Sequence, residues 1–329
     1  MSAAQSNART WQLLQLLADG EFHSGEVLAQ RLGVSRATVF NTLAGIAEHG
    51  VSLQRIRGRG YRLDKPWQCL DSGEITRLLD DAAHFFLVEV LQQATSSNVL
   101  LLQRAAQGAP SGSVLAVELQ TAGRGRIGRT WHSGLGNALT FSLLWRFDCS
   151  LNALSGLSLV VGVAILRALR RFGINSVRLK WPNDILTSQG KLGGVLIEAQ
   201  GDMLGPSIVV VGVGLNCSLP ASVERHINQP VSALDETCAK LPTRNHLLAA
   251  LLQEMASVLQ QFAQGGFAAL RTEWEQYHAH QNQPVKLQLA DGSSVSGIAR
   301  GVSNNGELCL ETHHGMSCFN SGEVGAGRR

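Results

Sequence analysis

Gln120-Thr121-Ala122-Gly123-Arg124-Gly125-Arg126-Ile127-Gly128-Arg129 is the stretch on which the reading of this chain turns, because two nucleotide-binding folds compete for it. Gly123, Gly125 and Gly128 match GxGxxG, with Asp148 at about the twenty-residue interval of a dinucleotide fold. Gly123 to Thr130 also follows the phosphate-loop template GxxxxGK[ST], with Arg129 in the lysine position. Both templates need a helix directly behind the loop, so that its amide dipole meets the phosphate. Here Trp131-His132-Ser133-Gly134-Leu135-Gly136-Asn137 follows, a glycine-broken stretch that runs into the apolar segment Ala138–Trp145 and so into a strand. Neither template fits. What remains is a flexible backbone bearing Arg124, Arg126 and Arg129. Glycines let main-chain N–H groups approach an anion, and guanidinium forks grip carboxylate and phosphate oxygens two at a time. Such a loop suits two anions at once; an exposed basic loop that binds nucleic acid nonspecifically is the plainer alternative.

Outward from that loop, residues 84–275 mix two periods. Strand-like runs (Phe85–Leu91, Val114–Leu119, Ala138–Trp145, Val177–Lys180, Val195–Glu198, Ile208–Gly212) alternate with a long helix near Leu151–Phe172 and two more near Thr243–Phe262 and Phe267–His278. That alternation within one unit predicts a mixed α/β domain. From Gln283 the pattern is all strand. Asp291-Gly292, Asn305-Gly306 and His314-Gly315 punctuate short runs at hairpin spacing, which predicts a small closing β-barrel.

Residues 8–65 form a third unit. A helix around Arg9–Ala18 stops at Asp19-Gly20; a second opens at Ser24 and ends at Gly33; a third has Ser35 as its N-cap. Val39, Leu43 and Ile46 make its buried stripe, which leaves Ser35, Arg36, Ala37, Thr38 and Asn41 facing outward. The pair is a helix-turn-helix, and the hairpin behind it, with Arg57-Gly58-Arg59-Gly60 at its tip, is a wing. Arg57 and Arg59 are placed to meet phosphates. A solvated helical domain is the alternative for this unit alone. The expected units are residues 1–65, 66–281 and 282–329.

Composition sets the outer bounds. The 329 residues are about twice a typical domain. With 44% hydrophobic and 16% charged residues, disorder is excluded as the main state. The net charge of +3 lies wholly in residues 1–65, which hold 8 Lys+Arg against 5 Asp+Glu, and this suggests one small segment meeting a polyanion. Six scattered cysteines without a CxxC pair predict a reduced, cytoplasmic protein. The polar start and the arginine-broken apolar stretch at 151–172 predict neither signal peptide nor membrane span.

Three further pieces carry polar groups. Lys180-Trp181-Pro182-Asn183-Asp184 presents Asn183 and Asp184 at a strand end, and Lys191 opens the next strand beside Gly193-Gly194. Taken alone, an Asn/Asp turn is usually just a turn, and a lysine at a strand start is usually solvated. Thr95-Ser96-Ser97-Asn98 closes one strand and opens a helix, offering hydroxyls and an amide to a small polar ligand. Gly212-Val213-Gly214-Leu215-Asn216, after a strand, lets backbone pass close to one.

The combination QTAGRGRIGRTW (120–131), KWPND (180–184), KLGGVLIE (191–198) and GVGLN (212–216) behind a winged helix resembles the biotin protein ligase family, in its bifunctional form that is also the biotin operon repressor. The resemblance covers all three units. It implies an α+β multidomain fold: an N-terminal winged helix-turn-helix, a central mixed α/β ligase domain like that of class II synthetases, and a small SH3-like barrel. It implies biotin plus ATP giving biotinoyl-adenylate, then transfer to a lysine of a biotin carboxyl carrier protein. Ser96, Ser97 and Asn98 match the family's ligand-binding Ser-Thr-Asn run, Gln120 its pocket glutamine, Arg124-Gly125-Arg126 its anion loop and Lys191 its active-site lysine. Asp184 matches the aspartate of its WPND turn, and Trp131, Gly212 and Asn216 complete the expected biotin and adenylate contacts. Arg126, Lys191 and Asp184 are the expected catalytic set. Ser97 stands where the family has Thr, Thr95 where it has an acid, and Gly325-Ala326 depart from its usual ending. Mg²⁺ is expected on the nucleotide phosphates, held by nucleotide and water, with no protein metal cluster. Operator DNA is expected to need a homodimer promoted by adenylate, because one weakly charged winged helix makes few phosphate contacts. A lipoate or octanoate ligase, or a ligand-sensing repressor without activity, are the alternatives.

Overall fold

The computed structural model describes residues 3–48, 50–64, 67–201, 205–238 and 240–326. The N-terminal unit holds α1 (Ala3–Leu17), α2 (Gly25–Leu32) and α3 (Arg36–Glu48), then the antiparallel pair β1 (Leu53–Ile56) and β2 (Gly60–Leu63). Its helix ends follow from local chemistry. Ser24 Oγ accepts from Val27 N at 3.1 Å, Gly33 terminates α2 with φ 63°, and Ser35 Oγ accepts from Thr38 N at 3.1 Å. Val39, Leu43 and Ile46 are buried, as their spacing predicts, against Trp11, Leu14, Leu17 and Leu28. The expected boundary at 65/66 falls on Lys65 and Pro66, outside the described residues.

The central unit runs α4 (Ser72–Leu78), β3 (Leu87–Ala94), α5 (Ser97–Ala106), β4 (Ser113–Gln120), β5 (Gly123–Arg124), β6 (Thr130–Trp131), β7 (Ala138–Phe147), α6 (Leu157–Arg171), β8 (Arg178–Lys180), β9 (Asp184–Leu186), β10 (Lys191–Gly201), β11 (Ser207–Asn216), α7 (Ala221–Glu224), α8 (Arg244–Gly265) and α9 (Arg271–Gln276). Seven strands form one sheet in the order β3-β4-β7-β11-β10-β9-β8, parallel between β3 and β4 and antiparallel elsewhere. The period of two along β4 divides its layers. Val114 and Ala116 join the large core with α6 and α8, whereas Leu115 and Val117 join Leu101 and Ala105 of α5.

Three expectations change here. The helix read across Leu151–Phe172 is a 3-10 turn at Leu151–Leu154 and then α6. Gly156 (φ 80°) breaks it, under Phe267, whose Cβ lies 2.7 Å from where a Gly156 Cβ would sit. The helix read across Phe267–His278 likewise splits into a 3-10 turn and α9. Residues 212–216 continue β11 rather than following it, paired to β7 and β10. The segment Leu151–Arg171 is long and apolar enough to cross a membrane by composition, but its window is 61% buried inside the protein, as a core helix is.

The C-terminal unit is a five-stranded antiparallel sheet, β12 (Pro284–Gln288), β13 (Ser294–Val302), β14 (Leu308–Thr312), β15 (Gly315–Phe319) and β16 (Glu323–Ala326), in the order β15-β14-β13-β12-β16. It docks by Trp181 Nε1, which donates to Gly306 O at 2.9 Å. Cys309 and Cys318 face each other across β14 and β15 and are joined as a disulfide, against the expectation of six free thiols. The hairpin register brings the two sulfurs together; nine residues of sequence separation conceal it.

Candidate active site

All twelve residues expected in the ligand and catalytic sets, Ser96, Ser97, Asn98, Gln120, Arg124, Gly125, Arg126, Trp131, Asp184, Lys191, Gly212 and Asn216, line one cleft. Strand ends build it. β3 ends at Ala94, Ser96 takes the N-cap position of α5, and the first residues of that helix, Ser97 and Asn98, are buried beside the end of β4. Ser97 N donates to Gln120 Oε1 at 2.7 Å, and Asn98 Nδ2 donates to Glu198 Oε2 at 2.9 Å. Two glycines of β11 make the space. A Cβ on Gly212 would lie 2.3 Å from Asn98 Oδ1, and one on Gly214 would lie 2.5 Å from the Trp131 indole. The floor is therefore neutral and rich in hydrogen-bonding groups.

The mouth is cationic. The arginine loop crosses between β5 and β6, where Gly125 N donates to Arg129 O at 2.7 Å, and its apex residue Ile127 sits at φ 54°, 76% exposed. A β-branched residue held in the left-handed region stores local strain, a feature common in ligand-binding loops. Arg124 pairs with Glu198 at 2.9 Å and Arg129 with Glu323 of β16. Arg126 donates to the neutral Asn183 Oδ1 at 3.2 Å, and burial pushes its guanidinium below the ordinary range. Arg129 holds the Glu323 carboxyl below its usual range. Lys191 Nζ lies 2.6 Å from Asp184 Oδ1, both side chains about four-fifths buried by their 19% and 17% exposures. Gly322, Glu323 and Val324 line the cleft, so the C-terminal sheet contributes to it. Asn216 lines the cleft, and its amide donates to Ser232 O at 3.1 Å and Lys191 O at 3.4 Å, tying β11 to the 231–232 segment and to the start of β10. His226, ahead of that segment, stacks on His132, just beyond β6, with ring centroids 5.9 Å apart.

Sequence reasoning missed three groups. Ser142, wholly buried on β7, lies 2.7 Å from Ser97 Oγ and 2.5 Å from Asn98 Oδ1. Its only signal is a hydroxyl inside an apolar run. Glu198 bridges floor and mouth. Glu118, 2% exposed, holds Arg244 at 2.6 Å and accepts from Leu70 N at 2.6 Å. Among the described residues, no three His, Cys, Asp or Glu side chains converge as a metal site.

The second surface lies on the winged helix. Ser35, Arg36, Ala37 and Asn41 are exposed and Thr38 half-buried; Arg57 and Arg59 are exposed at the wing. Arg59 and Arg62 both lie over the Phe22 ring, at 4.4 and 4.6 Å, and Arg55 over Phe40 at 5.0 Å, which orders the wing's cations.

A winged helix set before a seven-stranded sheet whose strand ends hold an anion loop defines a class: a DNA-binding unit joined to a carboxylate-handling enzyme fold. Three family models match, the HTH domain at residues 9–62, the biotin/lipoate A/B protein ligase family at 89–216 and the biotin protein ligase C terminal domain at 280–325. The chain belongs to the biotin protein ligase family. It is similar to the bifunctional ligase/repressor BirA of Escherichia coli (strain K12), 37% identical over 320 residues, covering 97% of this chain and 98% of that protein. It is also similar to the biotin–[acetyl-CoA-carboxylase] ligase of Mycobacterium tuberculosis, 33% identical over 72% of this chain and 88% of that protein. The structure of the biotin protein ligase from Aquifex aeolicus in complex with biotin and ATP matches with a TM-score of 0.61 and 27% identity, covering 72% of this chain and 97% of that one.

Proposed function

We propose that this chain makes biotinoyl-5'-AMP from biotin and ATP, transfers biotin to one lysine of the biotin carboxyl carrier subunit of acetyl-CoA carboxylase, and represses biotin synthesis genes through its winged helix. The units are residues 1–65 for DNA, 66–281 for the chemistry and 282–329 for the barrel. One observation carries the reading: a single cleft with a neutral hydrogen-bonding floor at Ser97 and Gln120 and a cationic mouth at Arg124, Arg126 and Lys191. Biotin has the same polarity, a cyclic urea at one end and a carboxylate at the other. Lipoate ends in a dithiolane with neither N–H nor C=O, so it would leave the floor unpaired.

In the first step a biotin carboxylate oxygen attacks the α-phosphorus of ATP, and the bond to pyrophosphate breaks as pyrophosphate leaves. The two reactants are anions, so Arg126 and Lys191 must neutralise and align them. In the second step the neutral amine of the acceptor lysine attacks the acyl carbon, AMP leaves, and the lysine nitrogen gives up a proton. Asp184, 2.6 Å from Lys191, is the proton acceptor or positioning group. The three carboxylates around the cleft, Asp184, Glu198 and Glu323, are each engaged by a cation. Mg²⁺ would therefore take its ligands from phosphate and water, and no step is assigned to it. The arginine loop and the 219–230 segment close over the anhydride, which hydrolyses if wet. ATP and operator DNA place the protein's work in the cytoplasm. Operator binding takes two copies, because one winged helix neutralises few phosphates, and adenylate promotes the homodimer by ordering these loops.

The test is exchange of labelled pyrophosphate into ATP by the pure protein without acceptor, alongside sedimentation with operator DNA. Biotin-dependent exchange is expected. Equal exchange with lipoate, or none with biotin, defeats the enzymatic half. Operator affinity indifferent to biotin and ATP, on a monomer, defeats the repressor half.

A further inference from the structure

The buried chain Glu198, Asn98, Ser142, Ser97 has a proton direction that its chemistry fixes. Asn98 Nδ2 donates to Glu198 Oε2 at 2.9 Å and to Leu196 O at 3.4 Å. A carboxylate and a main-chain carbonyl only accept, so the Asn98 nitrogen is pinned on that side and its Oδ1 faces Ser142. Ser142 Oγ lies 2.5 Å from Asn98 Oδ1 and 2.7 Å from Ser97 Oγ. A hydroxyl has one proton. Asn98 Oδ1 can only accept, so the single Ser142 proton goes to that shorter contact rather than to Ser97, and the Ser97 hydroxyl closes the 2.7 Å contact to Ser142 in preference to its longer one to Gln120 Oε1 at 3.2 Å. The Ser97 proton is thereby directed inward, and its oxygen turns lone pairs toward the cleft. Beside it Gln120 Oε1 accepts from Ser97 N at 2.7 Å, which leaves Gln120 Nε2 as the donor end at the cleft wall.

We infer that Ser142 and Glu198 are positioning residues that set the polarity of the cleft floor, an acceptor at Ser97 Oγ beside a donor at Gln120 Nε2, the complement of a ligand N–H beside a carbonyl. The inference rests on the reading of the cleft as a biotin site, since a cyclic urea supplies that pair. Ser142 sits between Phe141 and Leu143 with no exposure, where an unpaired hydroxyl would be costly. Glu198 has a second function in the chain, because its Oε1 is held by Arg124 Nη1 at 2.9 Å. That contact makes Glu198→Gln informative. Arg124 only donates, so it draws the glutamine oxygen to itself and leaves the glutamine nitrogen facing Asn98. Residue 198 at 2.9 Å then outweighs the longer 3.4 Å hold of Leu196 O, and Asn98 turns its oxygen to residue 198 and its nitrogen to Ser142; Ser142 donates to Ser97, and Ser97 donates to the cleft. One isosteric change reverses the whole chain.

The experiment is calorimetric binding, without ATP, of biotin and of a cyclic carbamate analogue in which the ring N–H near Ser97 is replaced by oxygen. Wild type should prefer biotin on the order of 10²-fold, because the carbamate sets lone pair against lone pair. Ser142→Ala removes the acceptor that holds the Ser97 proton inward, leaving only the 3.2 Å contact to Gln120 Oε1, and should narrow the preference to about tenfold or less. Ser142→Thr keeps the hydroxyl and should restore it, and Glu198→Gln should bring the ratio to about one or below. Changes at the carboxylate end alter both ligands alike and cancel in the ratio. Should Ser142→Ala fail to fold, as judged by circular dichroism, the isosteric Glu198→Gln carries the test alone. Wild-type protein that binds no biotin overturns the functional reading. Biotin binding with a preference that stays within about threefold of wild type in Glu198→Gln overturns this inference and leaves that reading standing.

Discussion

Replacing Glu118 by glutamine should destabilise the protein by leaving a buried arginine without its counter-charge. The carboxylate accepts from Leu70 N at 2.6 Å, Arg244 Nη1 at 2.6 Å and Arg244 Nη2 at 3.0 Å, and the two side chains are 2% and 9% exposed. Removing one partner from a buried pair leaves the other as an uncompensated charge and costs about 3–5 kcal/mol. The lower end applies here, because Arg244 Nη2 also donates to Gln68 O at 2.9 Å and the glutamine oxygen still accepts. A loss of about 3 kcal/mol corresponds to roughly 6–12 °C in Tm for a unit of this size. The double variant Glu118→Leu with Arg244→Met removes both charges and should recover more than half of the loss, since the penalty lies in the orphaned charge. Urea unfolding of the full chain, followed by tryptophan fluorescence, reads both values. A single-variant cost under about 1 kcal/mol, or a double variant as unstable as the sum of its parts, would refute the reasoning.

Gly212→Ala drives a Cβ to within 2.3 Å of Asn98 Oδ1, so biotin affinity should fall at least about 10²-fold while the far-UV spectrum is unchanged. Arg59→Ala should weaken DNA binding about equally for all sequences and lower the slope of log affinity against log salt by about one. Thiol titration of the unfolded, unreduced chain should find Cys69, Cys149, Cys217 and Cys238 reactive and the Cys309 and Cys318 pair reactive only after reduction. Burial, with His278 and Lys180 nearby, pushes the His280 imidazole down from 6.5 to about 4. Its unfolded form binds the proton first, so stability should fall as pH drops from 6.5 toward 4, and His280→Gln should flatten that part of the profile.

Where the sequence was legible, the cause was local. Ser24, Gly33 and Ser35 declare the helix ends because a cap acts within three residues, and the arginine loop declares itself by glycines and charges in one contiguous run. The core helix was overextended because the apolar residues of 151–172 continue across Gly156, and only the packing of Phe267 over that glycine shows the break. Ser142 reaches Ser97 across 45 residues, Asn98 reaches Glu198 across 100 and Arg244 reaches Glu118 across 126. No spacing rule spans such distances, so the floor's supporting groups were invisible while its lining was not. Asn216 shows the same limit: its type suggested a ligand contact and it lines the cleft, but the tie of its amide to the carbonyls of Ser232 and Lys191 has no signal in the sequence.

The last three residues of β4 explain why an enzyme site and a DNA-binding unit share one polypeptide. Alternation along a strand sends Glu118 and Gln120 to one face and Leu119 to the other. Glu118 holds the backbone of Leu70 in the segment that leads out of the winged helix. Leu119, with Leu135, is buried in the same apolar cluster as Trp11, Leu13, Leu43 and Ile46 of the N-terminal helices, and Trp67 closes that cluster edge-on to Trp11 at 5.9 Å. Gln120 holds Ser97 in the cleft. A second tie runs through Asn137, whose Nδ2 donates to Gly50 O at 3.1 Å and whose carbonyl accepts from Cys217 N and Ser218 N, immediately beyond Asn216. The cleft and the seat of the winged helix are therefore built from the same two strand ends, one residue apart. Gln120 and Leu119 are adjacent in the chain, so any change in DNA affinity that a ligand relays through them is reciprocal: DNA held by the winged helix changes ligand affinity by the same factor.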